Sequence, residues 1–220
     1  MEKGKFITFE GGEGGGKSTQ VTMLATALRQ TGLKVVTTRE PGGAPAAEDI
    51  RTLLVSGAVK RWSPMAEVLL NYAAREMHVS ETVNPALERG DWVISDRFSD
   101  STLAYQGYGG GVAAERIRAV HAATLGDFMP DLTLILDLPT EEGLARAGKR
   151  LIEHRSAEDR FERMERDFHK RLREGFLEIA RAEPRRCRVI DAAADIEAVG
   201  ADIARAVREA LGISLNVPAR

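Results

Sequence analysis

Five short runs of apolar residues recur along the chain, each bounded by glycine, proline or charged residues. They cover residues 5–10, 33–38, 91–96, 131–138 and 188–191. Runs that are apolar at nearly every position are typical of strands buried on both faces. The segments between them have apolar residues spaced about 3.6 apart, which is the period of a helix. This alternation predicts a three-layer α/β fold in which a five-stranded parallel sheet is flanked by helices.

The longest helical pattern begins at Pro64, after a serine that can cap it, and extends past Pro85, where the pattern allows a kink. Its predicted core face consists of apolar residues at helical spacing, Ala66, Leu69, Leu70, Ala73 and Met77. On a second face, Asn71, Arg75 and His78 form one polar stripe, because residues three and four positions apart are neighbours on a helix. Such a stripe is most often solvated, so by itself it does not establish a site.

A glycine-rich stretch follows the first predicted strand directly and precedes the first predicted helix. It matches the pattern G-x-x-x-x-G-K-[ST] and consists of Gly11, Gly12, Glu13, Gly14, Gly15, Gly16, Lys17, Ser18 and Thr19. Its glycines let backbone N–H groups turn toward a polyphosphate, and the N-terminus of the next helix adds positive potential. Lys17 can then reach the β- and γ-phosphates, and the Ser18 hydroxyl can ligate Mg²⁺. The sequence therefore predicts a P-loop that binds a nucleoside triphosphate.

A carboxylate at the end of a neighbouring strand is the usual second protein partner of the Mg²⁺ in such a site. Two aspartates end predicted strands in a suitable position, Asp96 and Asp137. Both strands can flank the first one, so periodicity does not decide between them. Asp96 is favoured because Arg97 beside it supplies positive charge where phosphates would meet.

Residues 146–160 form a basic stretch within a slightly acidic protein. The stretch carries five basic side chains, Arg146, Lys149, Arg150, Arg155 and Arg160, against three acidic ones. It lies between two helical patterns in a protein expected to bind phosphate. We interpret it as a small helical lid that closes over the bound nucleotides, although a solvated helix face stays open as the alternative.

Length and composition narrow the class of protein. The chain has 220 residues, a net charge of −2 and one cysteine, Cys187. This length suits a single domain over residues 1–220, and the weak negative charge disfavours nucleic-acid binding. One cysteine excludes an intramolecular disulfide and fits the reducing cytoplasm. No apolar run reaches about eighteen residues and the N-terminus enters a strand directly, so neither a membrane span nor a signal peptide is expected.

A P-loop by itself is compatible with a GTPase switch, an ATPase motor or a kinase. The absence of an Asn-Lys-x-Asp segment from the sequence counts against a GTPase. A small domain with a basic lid suits transfer of a phosphoryl group to a small acceptor, because closure excludes water. Two rival functions remain: a deoxynucleoside kinase, whose hydroxyl acceptor needs a carboxylate base, and a nucleotide-dependent switch without turnover.

Six segments resemble those of bacterial thymidylate kinases in order and in spacing. They are FEGGEGGGKST, TREPGG, LLNYAAR, ISDRF, STLAYQG and EDRFE, and the resemblance covers nearly all of residues 5–191. It implies the nucleoside-monophosphate kinase form of the P-loop NTP hydrolase-type fold. It also implies transfer of the γ-phosphoryl group of ATP to dTMP, giving dTDP for dTTP synthesis, with Mg²⁺ as cofactor and a homodimer as the assembly.

The resemblance assigns side chains to the acceptor nucleotide. It places Glu13 at the 3′-hydroxyl, Arg97 at the acceptor phosphate and Arg75 at the thymine O4. Thr102 is assigned to the base, and Tyr105 to the face of the deoxyribose, where its ring leaves no room for a 2′-hydroxyl. The full predicted substrate-binding set is Glu13, Arg39, Asn71, Arg75, Arg97, Thr102, Tyr105 and Gln106.

The predicted chemistry needs no general base, because the acceptor is a phosphate oxygen that is already ionised near neutral pH. Catalysis then depends on alignment and on charge neutralisation. The residues predicted to supply both are Lys17, Asp96, Arg97, Lys149 and Arg150. Residues 12–15 contain no arginine, so the resemblance assigns the transition-state cation to the lid, with Lys149 and Arg150 ahead of Arg155 and Arg160.

Asn71 departs from the family pattern, which has a phenylalanine stacked on the thymine at this position. An asparagine amide offers one hydrogen bond but little stacking area. The sequence therefore predicts weaker dTMP binding than in relatives that carry the phenylalanine.

Overall fold

A five-stranded parallel sheet forms the centre of the protein. The computed structural model describes residues 3–154, 160–161 and 164–215, and the side chains of residues 150–154 lie outside that description. The strands are β1 (Phe6–Glu10), β2 (Val35–Arg39), β3 (Trp92–Asp96), β4 (Leu132–Asp137) and β5 (Cys187–Asp191). Their order across the sheet is β2-β3-β1-β4-β5. The five predicted strands are confirmed to within two residues at each end.

The central strand is β1, which pairs in parallel with β3 on one side and with β4 on the other. Phe9 is aligned with Asp96, and Glu10 with Ile135. The two strands that end in the candidate aspartates therefore both flank β1, an arrangement that the sequence allowed. Because all five strands are parallel, their carboxyl ends lie at one edge of the sheet.

Helices cover both faces of the sheet and complete the predicted three layers. They are α1 (Lys17–Gln30), α2 (Pro45–Val55), α3 (Pro64–His78), α4 (Asn84–Glu88), α5 (Ser99–Thr102), α6 (Ala114–Leu125), α7 (Thr140–His154), α8 (Arg166–Ala182) and α9 (Ile196–Leu211). On one face, α1 and α9 pack against Ile7 and Phe9 of β1. On the other face, α4 packs near Phe6 and α8 near Ile135. The apolar core thus lies on both sides of β1.

Helix α3 begins where the sequence predicted. The Ser63 hydroxyl accepts a hydrogen bond from the Ala66 N–H. After α3 the chain continues through a π-helical turn, Val79–Val83, in which the N–H of Asn84 bonds to Val79 O. Pro85 follows in α4, so the irregularity expected near this proline takes the form of a π turn.

The core face predicted for α3 is wrong. Leu69 is 54% exposed and Ala73 is also exposed, whereas Tyr72, Arg75 and His78 are buried. Two members of the polar stripe therefore face the protein interior. Burial of polar side chains is tolerated when other elements provide partners, and such partners surround both Arg75 and His78.

The aromatic residues of α8 belong to the core. Phe168 and Phe176 pack with Tyr105 and Ile135, and Phe161 joins them from the segment before α8. Cys187 is buried in β5, and burial raises the pKa of its thiol to about 12. Within residues 3–154, 160–161 and 164–215, no helix is both long enough and apolar enough to cross a membrane.

Candidate active site

A cavity of about 570 Å³ opens at the carboxyl end of the sheet. Ligands of parallel α/β proteins bind at this edge. The predicted site residues that line it are Glu13, Gly14, Gly15, Gly16, Lys17, Ser18, Thr19, Arg39, Asn71, Arg75, Asp96, Arg97, Thr102, Tyr105 and Gln106. Side chains separated by up to about ninety positions in the sequence therefore share one space.

The glycine-rich loop has the backbone conformation that its sequence predicts. Gly11, Gly14 and Gly16 have φ angles of 127°, 71° and 80°. A Cβ atom at Gly11 would lie 2.4 Å from Leu136 O, and one at Gly14 would lie 2.1 Å from Gly143 O. Only glycine fits at these two positions, because side chains there would be strained and would also collide with the backbone.

Lys17 is the first residue of α1 and is almost fully buried beneath the loop. Its Nζ donates to Gly12 O at 2.7 Å and to Gly11 O at 3.2 Å. Burial, with a smaller contribution from the positive charge of Arg97, lowers the pKa of Lys17 to about 8. The ammonium group is therefore held within the loop, where a bound anion would raise its pKa and favour the charged form.

The geometry distinguishes the two candidate aspartates. Ser18 Oγ donates to Asp96 Oδ2 at 2.8 Å, so a hydroxyl and a carboxylate meet at the mouth of the loop. Asp137 instead accepts two hydrogen bonds from Arg173, at 2.7 and 2.8 Å, and does not line the main cavity. Of the two alternatives that the sequence left open, only Asp96 lies beside Ser18.

Arg97 follows β3 directly and has a left-handed backbone, with φ of 74°. Its guanidinium donates to Gly11 O at 3.0 Å, to Ser101 Oγ at 3.1 Å and to Glu13 Oε1 at 3.0 Å. The ring of Tyr105 lies 4.8 Å from the guanidinium carbon, and the Tyr105 hydroxyl donates to the same Glu13 oxygen. Three predicted substrate-binding residues, Glu13, Arg97 and Tyr105, are therefore in mutual contact beside the loop.

Glu10 supports this arrangement and was not predicted from the sequence. Its carboxylate is fully buried and accepts from Phe98 N at 2.8 Å and from Ser101 Oγ at 2.5 Å. Burial, with a smaller contribution from the charge of Asp100, raises the pKa of Glu10 to about 8. A carboxylate at the end of an otherwise apolar strand is the signal that could have identified it.

Arg75 lies at the other end of the cavity and is buried, with the ring centres of Tyr72 and Phe98 4.5 and 5.2 Å from its guanidinium carbon. Its Nε donates to Glu40 Oε2 at 2.7 Å, and its Nη2 donates to Phe98 O and to Thr102 Oγ1. Its Nη1 is buried without a hydrogen-bond partner among the described residues. A buried donor that lacks a partner is unfavourable by about 1–3 kcal/mol, so a ligand that brings an acceptor would be selected here.

Asn71 lies one helical turn before Arg75 and lines the cavity. Its amide nitrogen donates to Glu67 O, at 2.9 Å, within α3. Phe98, whose ring centre lies 5.2 Å from the guanidinium carbon of Arg75, also lines the cavity. The amide of Asn71 is therefore bonded within its own helix, and an aromatic ring is present in the same cavity.

Gln106 belongs to a buried network that fixes the wall of the cavity. Its amide donates to Glu67 Oε2 at 2.8 Å, while Glu67 Oε1 forms an ion pair with Arg160. Arg160 is buried and also donates to the carbonyl oxygen of Leu54 in α2 and to those of Ala58 and Val59 in the α2–α3 connection. Arg160 does not line the cavity, so the structure does not bring this lower-ranked lid candidate to the site.

The remaining basic residues of the stretch lie along α7 or beyond it. Arg146 lines the cavity and bonds to Ala192 O and to Glu142. Lys149 is exposed and does not line the cavity. The side chain of Arg150, and the whole of Arg155, lie outside the described residues.

Two arginines approach the cavity from the β2–α2 region. Arg39 is paired with Glu48 at 2.8 Å and its side chain is 53% exposed. Arg51 of α2 also lines the cavity, where it donates to Pro41 O at 2.8 Å. Sequence reasoning missed Arg51, because a single arginine on a short amphipathic helix carries no signal of its own.

Comparison with known proteins adds independent findings. A family model described as thymidylate kinase matches residues 9–203. The thymidylate kinase of Caulobacter vibrioides is 54% identical over 213 residues, covering 97% of this chain and 100% of that protein. The thymidylate kinase of Bradyrhizobium sp. strain ORS 278 is also 54% identical, covering 95% of this chain and 92% of that protein.

A solved structure agrees with these matches. The crystal structure of thymidylate kinase from Ehrlichia chaffeensis has a TM-score of 0.73 and 33% identity to this chain, covering 92% of it and 98% of that chain. The regions of this chain that match the family model and both relatives include the glycine-rich loop, the turn after β3 and the polar stripe of α3. The chain therefore belongs to the thymidylate kinase family, whose members phosphorylate dTMP to dTDP with ATP.

Proposed function

We propose that ATP and dTMP bind side by side in the single cavity, with the ATP phosphates in the glycine-rich loop and the thymine near Arg75. The continuity of the cavity from Lys17 to Arg75 carries this proposal. Arg97 lies between the two ends, where donor and acceptor phosphates would meet. Transfer within one closed space keeps water away from the γ-phosphoryl group. The product, dTDP, is one phosphorylation short of dTTP.

On the donor side, Lys17 and the backbone N–H groups of residues 11–19 bind the ATP phosphates, with Ser18 and Asp96 holding Mg²⁺. The converging hydroxyl and carboxylate fit this ion, which prefers oxygen ligands and retains phosphate oxygens and water around it. When bound, the ion neutralises charge on the β- and γ-phosphates. Among the described residues no group of three or more potential metal-binding side chains occurs, so these two side chains and the substrate phosphates would share the ion.

On the acceptor side, Arg97 binds the dTMP phosphate, and Arg39 and Arg51 contribute positive charge from the opposite wall. Glu13 accepts a hydrogen bond from the 3′-hydroxyl. Tyr105 packs against the deoxyribose, in a position consistent with its contact with Glu13. Thr102 and Gln106 complete the nucleoside wall. Arg75 donates through Nη1 to the thymine O4, which would satisfy its buried nitrogen.

The assignment of dTMP is tested by a coupled ADP-release assay on thymidine, dTMP, dUMP, dCMP, dGMP and UMP. We expect dTMP to have the highest kcat/KM, as membership of the family implies, and dCMP to be a poor acceptor, because cytosine lacks the acceptor at position 4 of the base that Arg75 requires. Ribose analogues are expected to be poor, because Tyr105 is close to the sugar. Faster phosphorylation of thymidine than of dTMP would favour the deoxynucleoside kinase. A rate of ADP release that is the same with and without each acceptor would favour the nucleotide-dependent switch.

The lid proposal assigns the cation at the transferred phosphoryl group to Lys149 or Arg150 of α7. Arg150 is one helical turn beyond Arg146, which lines the cavity. Arg150→Ala is expected to lower kcat by about 10²-fold with little change in the KM for dTMP, since the contact forms mainly in the transition state. Steady-state kinetics of Arg150→Ala and of Lys149→Ala measure this. An unchanged kcat in Arg150→Ala would transfer the role to Lys149.

The asparagine at position 71 leads to a prediction about affinity. Asn71→Phe is expected to lower the Kd for dTMP by about fivefold, equivalent to about 1 kcal/mol, because base stacking on a ring is favourable by about 1–3 kcal/mol. Calorimetric titration of both proteins with dTMP, without ATP, measures the difference. Gln30→Phe serves as the control, because this exposed position at the end of α1 does not line the cavity. Equal or weaker binding by Asn71→Phe would mean that another surface already covers the base.

The homodimer and the cytoplasmic location belong to the same proposal. Leu69 and Ala73 expose apolar surface on the outer side of α3, and a second copy of the chain would cover it. The buried, weakly acidic thiol of Cys187 suits a reducing compartment.

A further inference from the structure

Behind Arg75 lies a chain of hydrogen bonds that no role described so far requires. Glu40 Oε2 accepts from Arg75 Nε at 2.7 Å, and Glu40 Oε1 is 2.9 Å from His78 Nδ1. His78 Nε2 is in turn 2.7 Å from Thr38 Oγ1. The side chains of Glu40 and His78 are 3% and 0% exposed. This hydrogen-bond chain therefore connects the end of β2 to Arg75 through the interior.

The hydrogen-bonding roles along this chain follow from the chemistry of its members. A carboxylate only accepts, so His78 donates to Glu40 from Nδ1. In the neutral imidazole the other nitrogen then accepts, and Thr38 donates to it. Each polar atom between Thr38 and Arg75 thus has a partner, and the negative charge of Glu40 balances the buried guanidinium.

Packing keeps His78 in this position. Gly43 has a φ of 85°, and a Cβ atom there would lie 2.5 Å from both His78 Cδ2 and Thr38 Oγ1. Gly43 O also accepts a hydrogen bond from Thr82 Oγ1, at 2.7 Å, which ties this loop to the π turn after α3. The loop after β2 therefore presses directly on the ring of His78.

The hydrogen bonds of Arg75 restrict the direction in which its guanidinium can donate to a ligand. Glu40 occupies Nε, Phe98 O and Thr102 occupy Nη2, and the rings of Tyr72 and Phe98 lie near the guanidinium. Nη1 has no hydrogen-bond partner in the described part of the protein, so it remains for a ligand. We propose that Glu40, supported by His78, is a positioning residue that orients Arg75 so that its Nη1 selects a base with an acceptor at position 4. This inference rests on the proposed function, in which Arg75 faces the base.

The selection has a chemical reason. Thymine carries an oxygen acceptor at position 4, whereas cytosine carries an amino group whose hydrogens would oppose those of Nη1. A site built to form a hydrogen bond discriminates strongly against a ligand that leaves its buried group unpaired. The discrimination depends on the direction of Nη1, and so it depends on Glu40.

The test compares two substitutions of one residue. His78→Leu removes the donor to Glu40, whereas His78→Asn keeps an amide N–H near the place of Nδ1. The measured quantity is the ratio of kcat/KM for dTMP to that for dCMP, at saturating ATP. In His78→Leu the ratio is expected to fall by about tenfold or more, through a raised KM for dTMP, and in His78→Asn it should stay within about threefold of wild type.

Further variants separate positioning from a general loss of structure. Glu40→Gln places an amide N–H₂ against Arg75 or His78, and its ratio is expected to fall at least as far as that of His78→Leu. In each variant the KM for ATP should stay within about twofold of wild type, because the donor end of the cavity is untouched. Glu76→Gln, an exposed carboxylate beside Arg75 in the sequence, is the matched control and should keep the wild-type ratio.

Each outcome supports or overturns the inference. An unchanged ratio in both His78→Leu and Glu40→Gln overturns it, as does an equal fall in His78→Asn and His78→Leu. If His78→Leu fails to fold, Thr38→Val replaces it, because this change removes only a half-buried hydroxyl at the far end of the hydrogen-bond chain. An unchanged ratio of kcat/KM values in both Thr38→Val and Glu40→Gln then overturns the inference. A wild-type enzyme without a preference for dTMP would instead refute the proposed function.

Discussion

Substitution of Lys17 by methionine is expected to lower kcat/KM for ATP by about 10³-fold, because the variant lacks the cation that neutralises the β- and γ-phosphates. Methionine keeps an unbranched stem, so packing beneath the loop is preserved while the charge is lost. Steady-state kinetics at saturating dTMP measure the effect. Lys34→Met, at an exposed position outside the cavity, is the matched control. A loss of less than about tenfold in Lys17→Met would contradict the role of the lysine.

The same residue predicts a pH dependence. Burial and the nearby Arg97 lower the pKa of Lys17 to about 8, so the ammonium form dominates below this pH and the neutral amine above it. ATP is a polyanion and binds the ammonium form, so its Kd is expected to rise as pH increases above 8, by up to about tenfold per pH unit. Calorimetry without dTMP measures the profile. Lys17→Met should lack this rise, and any that persists belongs to another group, such as Glu10, whose pKa is also raised to about 8.

Substitution of Arg97 by methionine is expected to lower kcat/KM for dTMP by about 10³-fold, because the variant loses the guanidinium between the donor and acceptor phosphates. The side chain of Arg97 is 16% exposed, and its contacts with Gly11, Glu13 and Ser101 hold it in one position. Charge in such a place is poorly screened by solvent, so its loss has a large effect.

Arg39→Met is the matched control for this prediction. Arg39 lines the same cavity, but its side chain is 53% exposed and already paired with Glu48. Its loss is expected to reduce kcat/KM for dTMP by less than about tenfold, because exposed ion pairs contribute little. Arg97→Lys keeps the charge but not the two-pronged guanidinium, and an intermediate loss of about 10²-fold is expected. Equal losses of kcat/KM for dTMP in Arg39→Met and Arg97→Met would show that the buried position of Arg97 gives it no special role in the reaction.

The parts of the fold that the sequence predicted correctly depend on local patterns. The inner strands β1 and β4 are recognisable because they are almost entirely buried, and burial on both faces requires apolar residues at successive positions. The prediction of burial on both faces is wrong for the edge strand β2, none of whose residues is fully buried. The glycine-rich loop is recognisable because Gly11 and Gly14 meet backbone atoms that leave no room for a side chain. In both cases the physical constraint acts on consecutive residues, so it leaves a readable pattern.

The candidate site was only partly predictable for the opposite reason. Glu10 is bonded to Phe98 and Ser101, 88 and 91 positions away, and Glu67 is paired with Arg160, 93 positions away. The apolar strand before Glu10 indicates that this glutamate is unusual but does not reveal its partners, and nothing near Glu67 in the sequence distinguishes it from a solvated glutamate. The same limitation explains the wrong core face of α3, because a polar stripe on a helix looks the same whether water or buried partners satisfy it.

The sequence by itself determined the order of the strands and helices, the phosphate-binding loop and, through its motifs, the thymidylate kinase family. The tertiary structure alone decided that Asp96 rather than Asp137 lies beside Ser18, that Arg160 is held in the interior, and that Glu40 and His78 lie behind Arg75. The physical reason is the range of the interactions. A glycine turn and a buried strand each constrain the residue types of consecutive positions, whereas the partner of a buried charge comes from whichever distant element the folded chain brings within about 3 Å of it.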